Sequence, residues 1–138
     1  DHVIDYTSTD FEAEVMRLTN GEGVNVAYDS VGNDTMARTI TSTKRRGTII
    51  AFGQSSGPYT DFKITDLSKG SYYLSRPTLF HFVGDRSWLD TGSAKLFKAV
   101  TDGTINVSIN QRFALEDVAK AHEALTGRAT TGCTILTV

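Results

Sequence analysis

Cysteine, proline, tryptophan and histidine are all scarce in these 138 residues, which contain one, two, one and three of them respectively. The lone Cys133 excludes an internal disulfide framework and any zinc cluster built from several thiolates. It lies in the run CTILTV and reads as a buried strand position rather than a reactive thiol. His2, His81 and His122 are scattered, and none stands with a serine or cysteine as an activated nucleophile would require. His122 follows the helical face of Val118 and Leu125, and His81 stands between Phe80 and Phe82, so both read as packing residues. No apolar run approaches the length of a membrane span, and no secretory leader pattern is visible. The expected setting is therefore cytoplasmic. Charge of one sign is also lacking: the net charge is -2. Lys44-Arg45-Arg46 is the longest basic run and reads as the solvated last turn of a helix, so nucleic acid is not an expected partner.

Hydrophobic residues make up 39% of the chain and charged residues 22%, which places it among globular proteins with material for one ordinary core. The chain opens with Asp1-His2-Val3-Ile4, without an initiator methionine, as a segment of a larger protein would. Val3-Ile4-Asp5-Tyr6 reads as a first strand. Thr9 with Glu12 forms a capping box for a helix carrying Phe11, Val15 and Leu18, which Asn20-Gly21 stops. Gly21-Glu22-Gly23 has the beginning of a GxGxxG but precedes a strand, so it reads as a turn. Val24 to Asp29 is the second strand. Asn33 or Asp34 caps a helix with Met36 and Ile40 on one face, closed by Lys44 to Arg46 and Gly47. Thr48 to Phe52 is a third strand, apolar on both faces as buried parallel strands are. This alternation predicts a parallel α/β sheet with crossover helices. Tyr72-Tyr73-Leu74 is a fourth strand that Arg76-Pro77 ends. Beyond it come a helix ending at Gly103, a strand within Ile105 to Phe113, a helix from Glu116 to Leu125 and a last strand from Thr134.

Ligands of open parallel sheets lie beyond the C-terminal strand ends, where loops and helix starts present amides. AYDSVGN (27–33) and AFGQSSG (51–57) are two such ends. Ser30, Ser55 and Ser56 are short donors there, and Gly32 and Gly53 lack the Cβ that would hinder a ligand. The competing reading is that these are turn residues chosen for backbone angles. Asp29 is the one carboxylate placed to orient a ligand or a loop, with structural capping the favoured role. Tyr6 can stack on a base and Arg128 can pair with phosphate. A solvent-facing ring and a loop arginine are the plainer readings.

VIDY, VNVAYDSVGNDT, RRGTIIAFGQSSG, YYLSRPTLF and DVAKAHEALTGRATTG, in that order, resemble the C-terminal part of the zinc-independent quinone oxidoreductases, the zeta-crystallin branch of the medium-chain dehydrogenases/reductases. The resemblance implies an α/β fold: a partial Rossmann-like parallel sheet holding strands three to six, with helices on its faces. Residues 1–78 would form this partial nucleotide domain. Residues 79–138 would carry helix and strand elements that in the family join it to a substrate domain, which the resemblance leaves outside the chain. It implies NADPH as cofactor and a quinone or enone as substrate. By the same resemblance Tyr6 lies beside the adenosine 2'-phosphate end, Ser30 and Val31 on the adenine side, and Phe52, Gly53, Gln54, Ser55 and Ser56 along the nicotinamide ribose. Thr78 and Leu79 lie near the carboxamide, and Arg128 reaches towards the phosphates. No catalytic residue and no metal ligand is assigned. The strand around Tyr72–Arg76 would pair with its twin in a homodimer. With the glycine-rich first turn lacking, the isolated chain is expected to be inactive and to bind NADPH weakly. The alternative from another class is a non-catalytic interaction module working through the edge strand near Tyr72–Leu74.

Overall fold

The computed structural model describes residues 1–138, which divide into two compact units, Asp1–Phe80 and His81–Val138. In the first unit, helix α1 (Phe11–Leu18) precedes strand β1 (Val24–Asp29), helix α2 (Met36–Thr41), strand β2 (Thr43–Ala51) and strand β3 (Tyr73–Ser75). The three strands form one sheet in the order β1-β2-β3, with both pairings parallel. The parallel α/β arrangement expected from the sequence is therefore present.

The sheet's core follows from strand alternation. Ile49 and Ala51 point to one face, in line with Leu74 across the β2–β3 pairing. Met36 and Ile40 of α2 pack there, and Tyr59, Phe62, Tyr72 and Leu74 close round them. Ile49 is wholly buried. The opposite face carries Val26, Tyr28, Phe52 and Tyr73, all substantially exposed.

Four expectations in this unit are corrected. Val3-Ile4-Asp5-Tyr6 forms no strand, and β1 pairs only with β2. Asp5 draws the chain into a turn instead: its carbonyl accepts from the amides of Ser8 and Thr9, and its carboxylate from the amide and hydroxyl of Thr7. The Thr7 hydroxyl, with its amide, holds the Asp5 carboxyl below the usual carboxylate range. Asp10, not a Thr9–Glu12 box, caps α1 by accepting from the amides of Glu12 and Ala13. Neither Asn33 nor Asp34 caps α2; Thr35 occupies the N-cap without a capping bond, its hydroxyl being turned elsewhere. Lys44 to Arg46 lie in β2, not in a helical turn. They bulge between the registers Val24↔Thr43 and Val26↔Thr48, with Arg46 at φ 62° and its amide donating to the Gly70 carbonyl.

Helix α3 (Leu79–Val83) runs across the boundary between the units. The second unit then holds α4 (Arg86–Thr101), β4 (Ile109–Ala114), α5 (Val118–Thr126) and β5 (Cys133–Thr137). Asp85 caps α4 through the amides of Ser87 and Trp88, and β4 and β5 pair in parallel. Three packing expectations fail in this part of the chain. Cys133 is exposed on β5. His122 is exposed because the inward line of α5 runs through Ala121, about a hundred degrees round the helix. His81 is exposed while Phe82 and Trp88 pair beside it, ring centroids 5.5 Å apart. No helix is long and apolar enough to cross a membrane.

Truncating the central core side chain gives the first expectation. Ile49→Ala should lower stability by about 2–5 kcal/mol in urea unfolding. Val3→Ala, on a fully exposed side chain, should change it by less than about 0.5 kcal/mol.

Candidate cofactor-binding site

β1 ends in Asp29, which is only 4% exposed although it is a carboxylate. One oxygen, Oδ1, accepts from the amides of Val31 at 2.9 Å and Gly32 at 2.8 Å. The other, Oδ2, accepts from the Thr35 and Thr39 hydroxyls, each at 2.8 Å. Thr35 and Thr39 are four residues apart and so share the side of α2 that faces the strand end. Four donors replace the water that burial removes, and no buried side-chain polar atom of the chain is left without a partner. The capping role favoured for Asp29 from the sequence is what the geometry shows.

The two strand-end loops are then laced together. The Phe52 and Gly53 amides donate to the Asp29 carbonyl at 2.9 and 3.2 Å, the Ser55 amide to Ser30 at 3.2 Å, and the Ser56 amide to Val31 at 2.8 Å. Ser56 Oγ also donates to the Val31 carbonyl at 2.8 Å and accepts from the Asp34 amide at 3.0 Å. The Asn33 amide donates to the Gly57 carbonyl at 3.0 Å. Contact is so close that two glycines are required. A Cβ on Gly53 would lie 2.7 Å from Ser30 Cα, and one on Gly32 would lie 2.5 Å from the Gly57 carbonyl oxygen, at a φ of 90°. These glycines are thus required by the close approach of the two loops to each other. The lacing corrects the picture of loops offering a row of open amides. The amides of Val31, Gly32, Gly53, Ser55 and Ser56 are engaged within the protein, and the outward polar groups are the side chains of Ser30, Gln54 and Ser55.

Two pockets flank the laced loops within the first unit. One, of about 280 Å³, brings together Tyr6, Ser30 and Val31 with Phe11 and Tyr28. The other, of about 270 Å³, has Gly53 and Gln54 at its rim. Phe52 is half exposed and meets Tyr28 edge-on, ring centroids 6.5 Å apart. Thr78 is exposed immediately before α3, and Leu79, the first residue of that helix, is 65% exposed. Arg128 belongs to the second unit, where it follows α5 in the left-handed conformation at φ 55°.

The sequence reading passed over Thr35 and Thr39, although an aspartate at a strand end followed by threonines at helical spacing is a legible signal for a buried carboxylate clamp. It also passed over Gly53-Gln54-Ser55-Ser56-Gly57, which has the G-x-S-x-G spacing of a nucleophile elbow. That elbow needs a strand, a sharp turn and then a helix. Here β2 is followed by an extended loop up to a 3-10 turn at Ile64–Lys69, and Ser55 Oγ has no hydrogen-bond partner, so the spacing is coincidental.

A parallel sheet with paired glycine-bearing loops at the C-terminal ends of neighbouring strands defines the Rossmann-like class of α/β proteins. A sequence model described as zinc-binding dehydrogenase matches residues 1–136. The chain belongs to that family, within the medium-chain dehydrogenases/reductases. It is 41% identical over 134 residues to a quinone oxidoreductase of Pseudomonas aeruginosa, covering 96% of this chain and 41% of that protein. It is 38% identical over 137 residues to a 2-haloacrylate reductase of a Burkholderia species, covering 98% of this chain and 41% of that protein. Among solved structures it resembles Escherichia coli quinone oxidoreductase complexed with NADPH, with a TM-score of 0.92 and 37% identity, covering 99% of this chain and 43% of that one. The chain thus spans about two fifths of the length of these relatives.

The family's description implies zinc, but the residues present do not fit such a site. No three His, Cys, Asp or Glu side chains come together, and the one buried carboxylate, Asp29, is fully engaged by its four donors.

The clamp yields a graded expectation. Asp29→Ala leaves several buried donors unpaired and should cost about 3–5 kcal/mol in chemical denaturation. Thr39→Val removes one of four donors and should cost about 1 kcal/mol. Gly53→Ala should destabilise by more than about 1 kcal/mol, because the loops must part to admit the methyl group.

Proposed function

We propose that this chain supplies two rims of an NADPH crevice, and that the activity it serves is hydride transfer from NADPH to a conjugated acceptor such as a quinone or enone. The observation that carries this reading is the laced pair of strand-end loops with Tyr6, Ser30 and Val31 in one adjoining pocket and Gly53 and Gln54 at the rim of the next. The likeness to an NADPH-bound quinone oxidoreductase supports it. The names of the relatives share one chemistry: quinones and 2-haloacrylates both carry a carbon–carbon double bond conjugated to a carbonyl or carboxyl group, the type of acceptor a hydride adds to.

NADPH, when bound, supplies the hydride; the protein's part is to hold and orient it. The residues present suit that task. Tyr6 and Tyr28 offer ring faces on which an adenine can stack. Ser30, Gln54 and Ser55 offer neutral donors and acceptors suited to ribose hydroxyls. Phe52 and the Ser56 lock keep the nicotinamide-side loop in place. Thr78 and Leu79 lie along the carboxamide. In this reading residues 1–78 are the nucleotide part, and 79–138 lead towards the substrate domain.

The strand edge extends the proposal. β3 is paired on one side only, with Tyr73 65% exposed, and an open edge of this kind is suited to pairing with a second copy across Tyr72–Arg76. Sedimentation equilibrium should show a dimer that Tyr73→Pro converts to monomer with unchanged far-ultraviolet circular dichroism. A monomeric parent chain would refute the pairing.

No strand–GxGxxG–helix turn occurs in the sequence, so the strongest phosphate cradle is not part of this chain and affinity should be about millimolar. An NMR titration with NADPH should shift the amides of Tyr6, Ser30, Val31, Gly53, Gln54 and Ser55 as one fast-exchanging set. Shifts confined to other residues, or none at all, would contradict the reading, and micromolar affinity would contradict the assigned weakness.

A further inference from the structure

The second of the two pockets has a chemistry of its own. It lies on the core side of the sheet, behind the laced loops, under the extended segment that follows β2. Its walls are apolar: Met36, Tyr59, Phe62 and Leu74. Its one charged lining group is Arg76, which follows β3 two residues after Leu74 and so emerges on the same face of the strand. No acidic side chain lines the pocket, and none of the chain's six ion pairs involves Arg76. The guanidinium makes a single long hydrogen bond, 3.4 Å, to the neighbouring Pro77 carbonyl.

An apolar chamber of about 270 Å³ beside one unpaired guanidinium selects its ligand on three counts. The volume suits a molecule of roughly one ring with a short side arm. The Tyr59 and Phe62 rings favour a flat, apolar or conjugated body over a sugar. A fork of N–H donors with no carboxylate partner favours a planar anion, taken in bidentate fashion, over a cation or a neutral molecule. We propose that this pocket binds a small conjugated or aromatic monocarboxylate, its body between Met36, Tyr59, Phe62 and Leu74 and its carboxylate on Arg76. The site lies on the core side of the sheet and shares Gly53 and Gln54 with the proposed NADPH crevice, but its ligand is recognised by Arg76 and the apolar walls and requires no nucleotide.

The test is an NMR titration of the 138-residue chain, without NADPH, using sodium cinnamate and its neutral isostere cinnamamide. Cinnamate should shift the methyl signals of Met36 and Leu74 and the Gln54 amide saturably, and bind about tenfold more tightly than cinnamamide. Arg76→Gln, a change at an exposed side chain, should reduce cinnamate to the affinity of the amide and leave cinnamamide binding unchanged, which also shows that the pocket remains folded. Equal affinity for acid and amide, an Arg76→Gln variant that binds cinnamate as before, shifts confined to the Tyr6–Tyr28 pocket, or no saturable binding would each overturn the proposal. A failed NADPH titration would leave these outcomes unaffected, so the two readings fail separately.

Discussion

Burying one carboxylate is the constraint on which the first unit depends. Asp29 lies buried at the end of β1, where an unpaired charge would be strongly destabilising. Its four hydrogen bonds remove that penalty and fix geometry in three directions at once. The amides of Val31 and Gly32 fold the loop back over the strand end. The hydroxyls of Thr35 and Thr39 hold α2 against the sheet, and with it Met36 and Ile40 over Ile49. The backbone carbonyl of the same residue receives the Phe52 and Gly53 amides, so the second loop is positioned by the residue that positions the first.

This arrangement turns two flexible-looking, glycine-bearing loops into one fixed surface. Its backbone donors are committed internally, so a ligand meets side chains and ring faces rather than a nest of amides. That suits the sugars and flat rings of a dinucleotide better than its phosphates, which agrees with the lack of a glycine-rich phosphate turn in the chain. Order present before binding also lowers the entropic cost of forming a complex. The same lacing shapes the space behind the loops, where apolar walls and a single unpaired guanidinium suit a smaller, singly charged ligand.

Element types were legible in the sequence wherever the signal was local. Strand-type runs gave β1, the C-terminal part of β2 and most of β3, and helical spacing with a glycine stop gave α4 and α5. The errors arise where a neighbour decides. Val3 to Tyr6 has strand composition, but a strand requires an edge to pair with, and the Asp5–Thr7 turn claims the backbone first. Lys44 to Arg46 has the charge of a helix end, yet a bulge allows those side chains to remain solvated on β2. Cys133 and His122 were read as buried from their own elements, whereas burial is set by how much a second layer covers. Asp29 was placed correctly at a strand end, but its partners required knowing that α2 begins at Met36, which freed the Thr35 hydroxyl from capping. The glycines were seen without the close approach of the two loops that requires them, because spacing along the chain does not show which backbone comes within 3 Å across space.

Hydrogen exchange of the ligand-free chain tests the central claim most directly, namely that the two loops form one prebuilt surface anchored on Asp29. The amides of Val31, Gly32, Gly53 and Ser56 should be protected to a similar extent and should all lose protection together in Asp29→Ala, since they open as one unit. Exchange of these amides at the rate of an unstructured peptide, or protection of the Gly53 and Ser56 amides that survives loss of the carboxylate, would contradict it.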